Sequence, residues 1–245
     1  MKIFLAGATG AIGSVLAPLL VDAGYTVYGS TRRPKRTQAL EAQAVTPVVV
    51  DVFDQVALTS ALKRIAPGIV IHQLTDLPRD LDPARMAEAV VRNARVRSEG
   101  TRNLVAAALA AGCGRMIAQS IAWAYAPGSR PWREKQPLDL TAADPRGITV
   151  RGVAALEEVV LGTRGIAGTV LRYGQIYGPG TSTPVPRGAT PVHVEAAAWA
   201  ALLAVQRDAR GIYNIAEDGP EVSSDKAQRE LGWHAALRWP AEVLR

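Results

Sequence analysis

The chain has one cysteine in 245 residues, Cys113, so no disulfide framework can form within it, and a reducing cytoplasm suits it. Cys113 lies between two glycines with no catalytic motif around it, and reads as a small residue in a helix-to-strand turn. No run of about 18 uninterrupted apolar residues occurs, so no membrane span is expected. Residues 1–6 are apolar but pass straight into a glycine loop, without a basic leader or cleavage site, so no signal peptide is expected. Histidine is scarce, with His72, His193 and His234 the only three, and no metal site is expected. There is no internal repeat and no low-complexity tract.

The charge balance is +6, from 28 Lys and Arg against 22 Asp and Glu, but the basic residues are mostly arginine and scattered. The one tight cluster is Arg32-Arg33-Pro34-Lys35-Arg36. The phosphate of a nucleotide cofactor explains it more simply than a nucleic acid, and no nucleic-acid partner is expected.

The hydrophobic fraction of 48% allows a real core. Apolar runs alternate with helical patterns in the order of a parallel α/β sheet. Strands are expected at 2–6, 25–30, 45–50, 69–72, 115–119 and 169–171. Helices are expected at 12–23, 58–65, 83–111 (with a break in character at Gly100) and around 154–161. Beyond residue 180 come a loop, a helix at about 194–207, a short strand at 212–215 and a closing helix near 225–231. The fold class is α/β, a Rossmann-type doubly wound parallel sheet with a small C-terminal substrate lobe. The boundary is placed so that 1–170 binds the dinucleotide and 171–245 completes the sheet and the lobe. Proline and glycine concentrate at 126–147 and 178–191, two surface loops expected over a site.

Between the first strand and first helix runs Gly7-Ala8-Thr9-Gly10-Ala11-Ile12-Gly13. Gly7 permits a tight turn, Gly10 lets backbone approach a pyrophosphate, and Gly13 lets the helix pack close to the sheet. The helix N-terminus adds free N–H groups and partial positive charge. Gly7, Thr9, Gly10, Ala11, Ile12 and Gly13 are therefore candidate cofactor contacts. The spacing is G-x-x-G-x-x-G rather than G-x-G-x-x-G.

The second strand ends at Thr31, where an acidic residue would hold a ribose 2′-hydroxyl. No Asp or Glu lies between Tyr25 and Lys35, and Arg32 and Arg33 occupy the place. Guanidinium groups match a 2′-phosphate in charge and in fork geometry, so NADP is favoured and NAD remains possible. The alternative is a solvated basic turn. Asp51 and Val52, at the end of the third strand, either contact the adenine or form a strand end whose aspartate caps the next helix.

Further segments resemble one family. Ile71-His72-Gln73-Leu74 resembles its strand-four segment, and Glu99-Gly100-Thr101-Arg102-Asn103-Leu104 its following helix. Gln119 to Tyr125 resembles its strand-five motif. Leu171-Arg172-Tyr173-Gly174 and Tyr177-Gly178-Pro179-Gly180 resemble its LRxxxxYGPG. Val192-His193-Val194-Glu195 and Gly211-Ile212-Tyr213-Asn214-Ile215 match later landmarks. The chain thus resembles an extended or atypical short-chain dehydrogenase/reductase of the NAD-dependent epimerase/dehydratase group. The resemblance implies a bound dinucleotide, with Gln73, Leu74, Arg97 and Tyr173 beside it.

The departures concern chemistry. The family's Tyr-x-x-x-Lys pair falls on Thr149 and Val153, and no Tyr-x-x-x-Lys occurs anywhere. The family's Ser/Thr position is Ile121, next to Ser120, and its asparagine is Arg97. A nicotinamide can still transfer hydride if it is oriented and a proton source exists. The candidate donors are Tyr125, Ser120 and Tyr177, then Tyr173 and His193. Each has a packing alternative. His72, at a strand end, is expected to make a structural hydrogen bond, and His234 to lie on the surface. Arg97 either anchors an acidic substrate or fills the vacated asparagine site.

Only residues 181–191 separate the Tyr-Gly-Pro-Gly motif from Val192, so the substrate lobe is small. The 126–147 loop, with Arg130, Pro131, Trp132 and Arg133, is either a lid or a connector. The expectation is an NADP-dependent oxidoreductase acting on a small molecule, in the cytoplasm, with a homodimer as an option for its assembly. The alternatives are a silent dinucleotide-binding protein and, behind it, a nucleotide-sugar epimerase or dehydratase.

Overall fold

The computed structural model describes residues 1–78 and 80–239; the last six residues of the expected C-terminal part lie outside them. Its centre is β1 (Lys2–Ala6), buried after its first residue, as a strand must be when helices cover both faces of a parallel sheet. On one side β1 pairs with β2 (Thr26–Thr31), which carries β3 (Thr46–Val49). On the other side it pairs with β4 (Ile69–His72), followed by β5 (Arg115–Ile121), β6 (Ala167–Tyr173) and β9 (Gly211–Ile215). All pairs are parallel, in the order β3-β2-β1-β4-β5-β6-β9. The order reverses between β1 and β4, and ligands of such sheets bind outside the carboxyl ends of the strands at that point.

Helices α1 (Ala11–Asp22) and α7 (Val194–Gln206) cover one face. Helix α7 is alanine-rich and almost wholly buried, and the small side chains let it lie close against α1. The other face is covered by α3 (Gln55–Ile65), α4 (Pro83–Arg95), α5 (Thr101–Ala110) and α6 (Arg146–Gly162). Capping fixes several boundaries: Asp54 accepts from Ala57 N–H at the start of α3, and Asp82 from Ala84 N–H ahead of Pro83 in α4. A closing helix, α8 (Asp225–Leu231), ends at Gly232 with φ of 70°.

The element pattern follows the sequence reading with three differences. The expected helix over 83–111 is two helices joined by a wide i→i+5 turn at Val96–Gly100, in which Thr101 N–H reaches the Val96 carbonyl. A short helix, α2 (Thr37–Glu41), follows the basic cluster where none is expected. Strands β7 (Gln175–Tyr177) and β8 (Pro191–His193) form a separate parallel pair, too short to show a two-residue alternation. Among the described residues, no helix is long and apolar enough to cross a membrane.

Candidate functional site

The glycine loop lies at the switch between β1 and β4. Gly7 has φ of +87°, and a Cβ there would meet the Gln73 carbonyl oxygen at 2.7 Å. Its N–H donates to Ser30 Oγ on β2, and Gly10 N–H returns to the Gly7 carbonyl at 3.0 Å. A Cβ on Gly13 would fall 2.1 Å from that same carbonyl, so only glycine lets α1 start this close to the turn. Gly10 is the N-cap, no side chain caps the helix, and its first turn carries no acid. The leading N–H groups at Ala11, Ile12 and Gly13 are the ones a helix leaves without internal partners, and this is a cradle for phosphate. The geometry fits a dinucleotide pyrophosphate.

The end of β2 brings arginines to the loop. Thr31 Oγ1 accepts from Arg33 N–H at 3.2 Å and holds the strand end in a turn. Arg32 extends to Asp76 at 3.6 Å, both side chains partly exposed, and Asp76 also faces Arg92 at 3.8 Å. Arg33 is exposed. Arg36, not singled out from the sequence beyond its cluster, folds back and donates to the Thr9 carbonyl at 3.2 Å. Asp51 does not cap the next helix: its Oδ1 accepts from Phe53 N–H at 2.9 Å, and Asp54 caps α3 instead. Val52 is buried against Gly100, and its carbonyl accepts from Asn103.

Across the switch, Gln73 N–H continues the ladder to the Ala6 carbonyl. Its side-chain N–H reaches the Tyr173 hydroxyl at 3.4 Å, while Oε1 is buried and, among the described residues, without a partner. Burial raises the Tyr173 phenol well above its usual range. His72 makes the structural bonds expected of it. Leu74 N–H donates to Nδ1 at 3.1 Å, which leaves Nε2 to carry the proton toward Thr101 Oγ1, also at 3.1 Å. Burial, then the nearby Arg97 charge, pushes the imidazole down to about 3, so it is neutral. Arg97 itself is 6% exposed in the Val96–Gly100 turn.

The hydroxyls expected as proton donors are engaged elsewhere. Ser120 is fully buried and donates to Glu157 Oε1 at 2.6 Å, and Arg172 clamps both oxygens of that carboxylate at 2.9 and 2.6 Å. Nothing in the sequence pairs Glu157 with Arg172; a charged residue at a buried helical position was the one available signal. Tyr125 is buried, donates to Asn214 Oδ1 at 2.6 Å and lies under the Arg172 guanidinium. Tyr177 is half-buried, donates to Glu217 at 2.6 Å and meets the His193 ring edge-on. His193 caps α7 by accepting from Glu195 N–H at 3.3 Å, and His234 is exposed. At the tyrosine and lysine positions of α6, Thr149 is partly buried and Val153 packs in a small apolar cluster with Ile121 and Ala124.

The 126–147 loop, exposed over much of its length, is fastened to the chain after β9. Trp132 N–H donates to the Glu221 carbonyl at 2.7 Å, its own carbonyl accepts from Ser223, and its ring stacks on Tyr125 at 5.8 Å. Arg130 and Arg133 pair with Glu221 and Asp225, so the loop is stapled to the segment after β9. Among the described residues no group of His, Cys, Asp and Glu can hold a metal ion.

Comparison with known proteins agrees with this geometry. The family model for the NAD dependent epimerase/dehydratase family matches residues 3–205. A 3-diazoavenalumate denitrifying reductase of a Streptomyces species is 42% identical over 243 residues, covering 90% of this chain and 77% of the relative. The UDP-glucose 4-epimerase of Thermotoga maritima, solved with UDP-glucose, superposes with a TM-score of 0.78 at 18% identity, covering 97% of this chain and 94% of its own. That of Thermus thermophilus, in complex with NAD, gives 0.78 at 20% identity, with 98% and 95% covered. At these identities the two epimerases are similar in fold.

Proposed function

The chain belongs to the NAD dependent epimerase/dehydratase family, and from that premise we propose that it is an NADPH-dependent reductase of a small aryl diazonium compound, replacing dinitrogen by hydrogen. The observation that carries this reading is the loss of the proton relay: Thr149 and Val153 stand where the Tyr-x-x-x-Lys pair would, and the hydroxyls of Ser120, Tyr125 and Tyr177 are bonded to Glu157, Asn214 and Glu217. Reduction of a carbonyl needs a proton at oxygen as hydride arrives. Displacement of dinitrogen from an aryl diazonium ion does not: a nicotinamide held by the glycine loop would supply a hydride to the diazonium carbon, and the carbon–nitrogen bond would break with its electron pair leaving on dinitrogen. The relative's name supports this class, since it is a denitrifying reductase of a diazo acid.

In this reading the α1 N-terminus and glycine loop hold the pyrophosphate. Arg32, Arg33 and Arg36 receive the 2′-phosphate and favour NADPH over NADH. Gln73 and Tyr173 flank the nicotinamide end. The protein's work is then to bind, orient and exclude water. The single buried Cys113 suits the reducing cytoplasm in which we place it. The same losses favour a second reading, a dinucleotide-binding protein without turnover.

The test is NADPH deuterated at C4, on either face, with 4-carboxybenzenediazonium as probe. We expect deuterium at the carbon that lost nitrogen, one dinitrogen per NADPH, above the rate in buffer. Tight NADPH binding without enzyme-dependent transfer to this probe or to the relative's own substrate establishes the second reading.

A further inference from the structure

Among the described residues, the positive charge of Arg97 has no partner. The residue is 6% exposed, and among the described residues no hydrogen bond or ion pair reaches its guanidinium. The nearest acid along the turn, Glu99, is taken by Arg95 at 2.7 Å on the outer side of the helix. That outer side forms a groove with Ile148, Arg151 and Gly152 of α6, where Arg95 and Ser98 point. Arg97 does not line that groove. Its charge is felt at His72, the last residue of β4, whose two ring nitrogens are already committed to Leu74 and Thr101. Beside His72 is a second orphan, Gln73 Oε1, buried and without a donor. A nearly buried guanidinium without a protein partner is costly, and so is an unpaired amide oxygen; Gln73 follows His72, on which the Arg97 charge acts, at the end of β4 by the switch crevice where ligands of this fold bind.

We propose that Arg97 is the receptor for an acidic group, a carboxylate or phenolate, of the substrate, with Gln73 Oε1 accepting a hydrogen bond from the same ligand. The inference rests on reading this crevice as the substrate end of the cleft. A cofactor phosphate is the other source of an oxyanion, but the phosphates have partners of their own, at the uncapped start of α1 and at the arginines after β2, on the opposite side of the switch. No carboxylate among the described residues offsets the charge. Burial draws the guanidinium down only to about 10, so it stays charged at neutral pH. His72, neutral for the reasons given above, neither competes for the anion nor supplies one. The relative's name describes its substrate as the anion of an acid.

The experiment is calorimetric titration of the NADP⁺-saturated protein with cinnamate and with its neutral amide, cinnamamide. Wild type should bind the acid about tenfold or more tightly than the amide, the worth of a charge-assisted bond. R97Q should erase that preference, R97K should keep part of it, and both should keep NADP⁺ affinity. Without ligand, R97Q should be at least as heat-stable as wild type, because a buried lone charge has been removed; a structural arginine would show the reverse. Equal binding of acid and amide by wild type, no measurable cinnamate binding at millimolar concentration, or an acid preference that survives R97Q overturns the proposal. Loss of NADP⁺ affinity in R97Q with the acid-to-amide ratio unchanged also overturns it, by assigning the arginine to the cofactor. None of these readouts needs turnover. Failure of deuterium transfer leaves an Arg97-dependent acid preference standing, and transfer without that preference removes this inference alone.

Discussion

The Ser120 hydroxyl lies 2.6 Å from Glu157 Oε1, and the same carboxylate is gripped from the other side by Arg172, with both charged side chains under a tenth exposed. A buried pair of this kind is expensive to break from one side, because the survivor keeps its charge without its partner. E157A should therefore destabilise the protein by about 3–5 kcal/mol in denaturant unfolding. The double variant E157L/R172M should cost less than E157A. S120A should cost about 1 kcal/mol and leave NADPH affinity unchanged. A larger loss in cofactor affinity than in stability for S120A would return the serine to the site.

Gly13→Ala places a methyl group 2.1 Å from the Gly7 carbonyl, against backbone that cannot yield without moving the loop. Wild type with NADPH at about a hundred times its Kd should gain about 3 kcal/mol in thermal denaturation. G13A should lose most of that gain, and an undiminished shift would show that the loop does not hold the dinucleotide.

The proposed function gives the arginines after β2 the choice of cofactor. NADPH should stabilise the protein more than NADH, by about 1.4 kcal/mol or more, a tenfold preference. R32Q/R33Q should shrink the difference by weakening NADPH and leaving NADH unchanged. Equal shifts in wild type, or larger ones with NADH, refute the role given to these residues.

Acid should weaken the fold through His72. Its folded value is lowered from 6.5 to about 3 by burial and by Arg97. Below pH 6.5 the unfolded chain takes up a proton that the native state refuses. The stability that His72 contributes is thus full above 6.5 and is lost as pH falls toward 3. The slope attributable to it is about 1.4 kcal/mol per unit within that window. Unfolding curves of wild type and H72Q, compared from about pH 7 to about pH 4, should converge as pH falls; parallel curves would place His72 in a solvated setting.

The 126–147 loop should not respond to ligand. Trp132 N–H and Ser223 N–H close a bridge between the loop and the segment after β9. Hydrogen exchange at both should be equally slow with and without NADPH, whereas a lid would become protected only on binding. W132A, which removes the ring stacked on Tyr125, should cost about 3 kcal/mol.

What the sequence determined by itself is the local part of this protein. The strand, glycine turn and helix at 2–22, the arginines after β2 and the closing helix at 225–231 are each set by residues within a turn or two of one another, through periodicity, caps and φ values that only glycine readily takes. The family landmarks carry the sheet order in the same way. The tertiary structure decided which groups are free. Ser120 meets Glu157 across 37 positions, Tyr125 meets Asn214 across 89, and Asn214 meets Glu134 across 80. Such contacts depend on how distant helices and loops settle on the sheet, which no local pattern encodes. The isolation of Arg97 is the extreme case: a missing partner is a property of everything packed around a residue, and only the assembled core defines it.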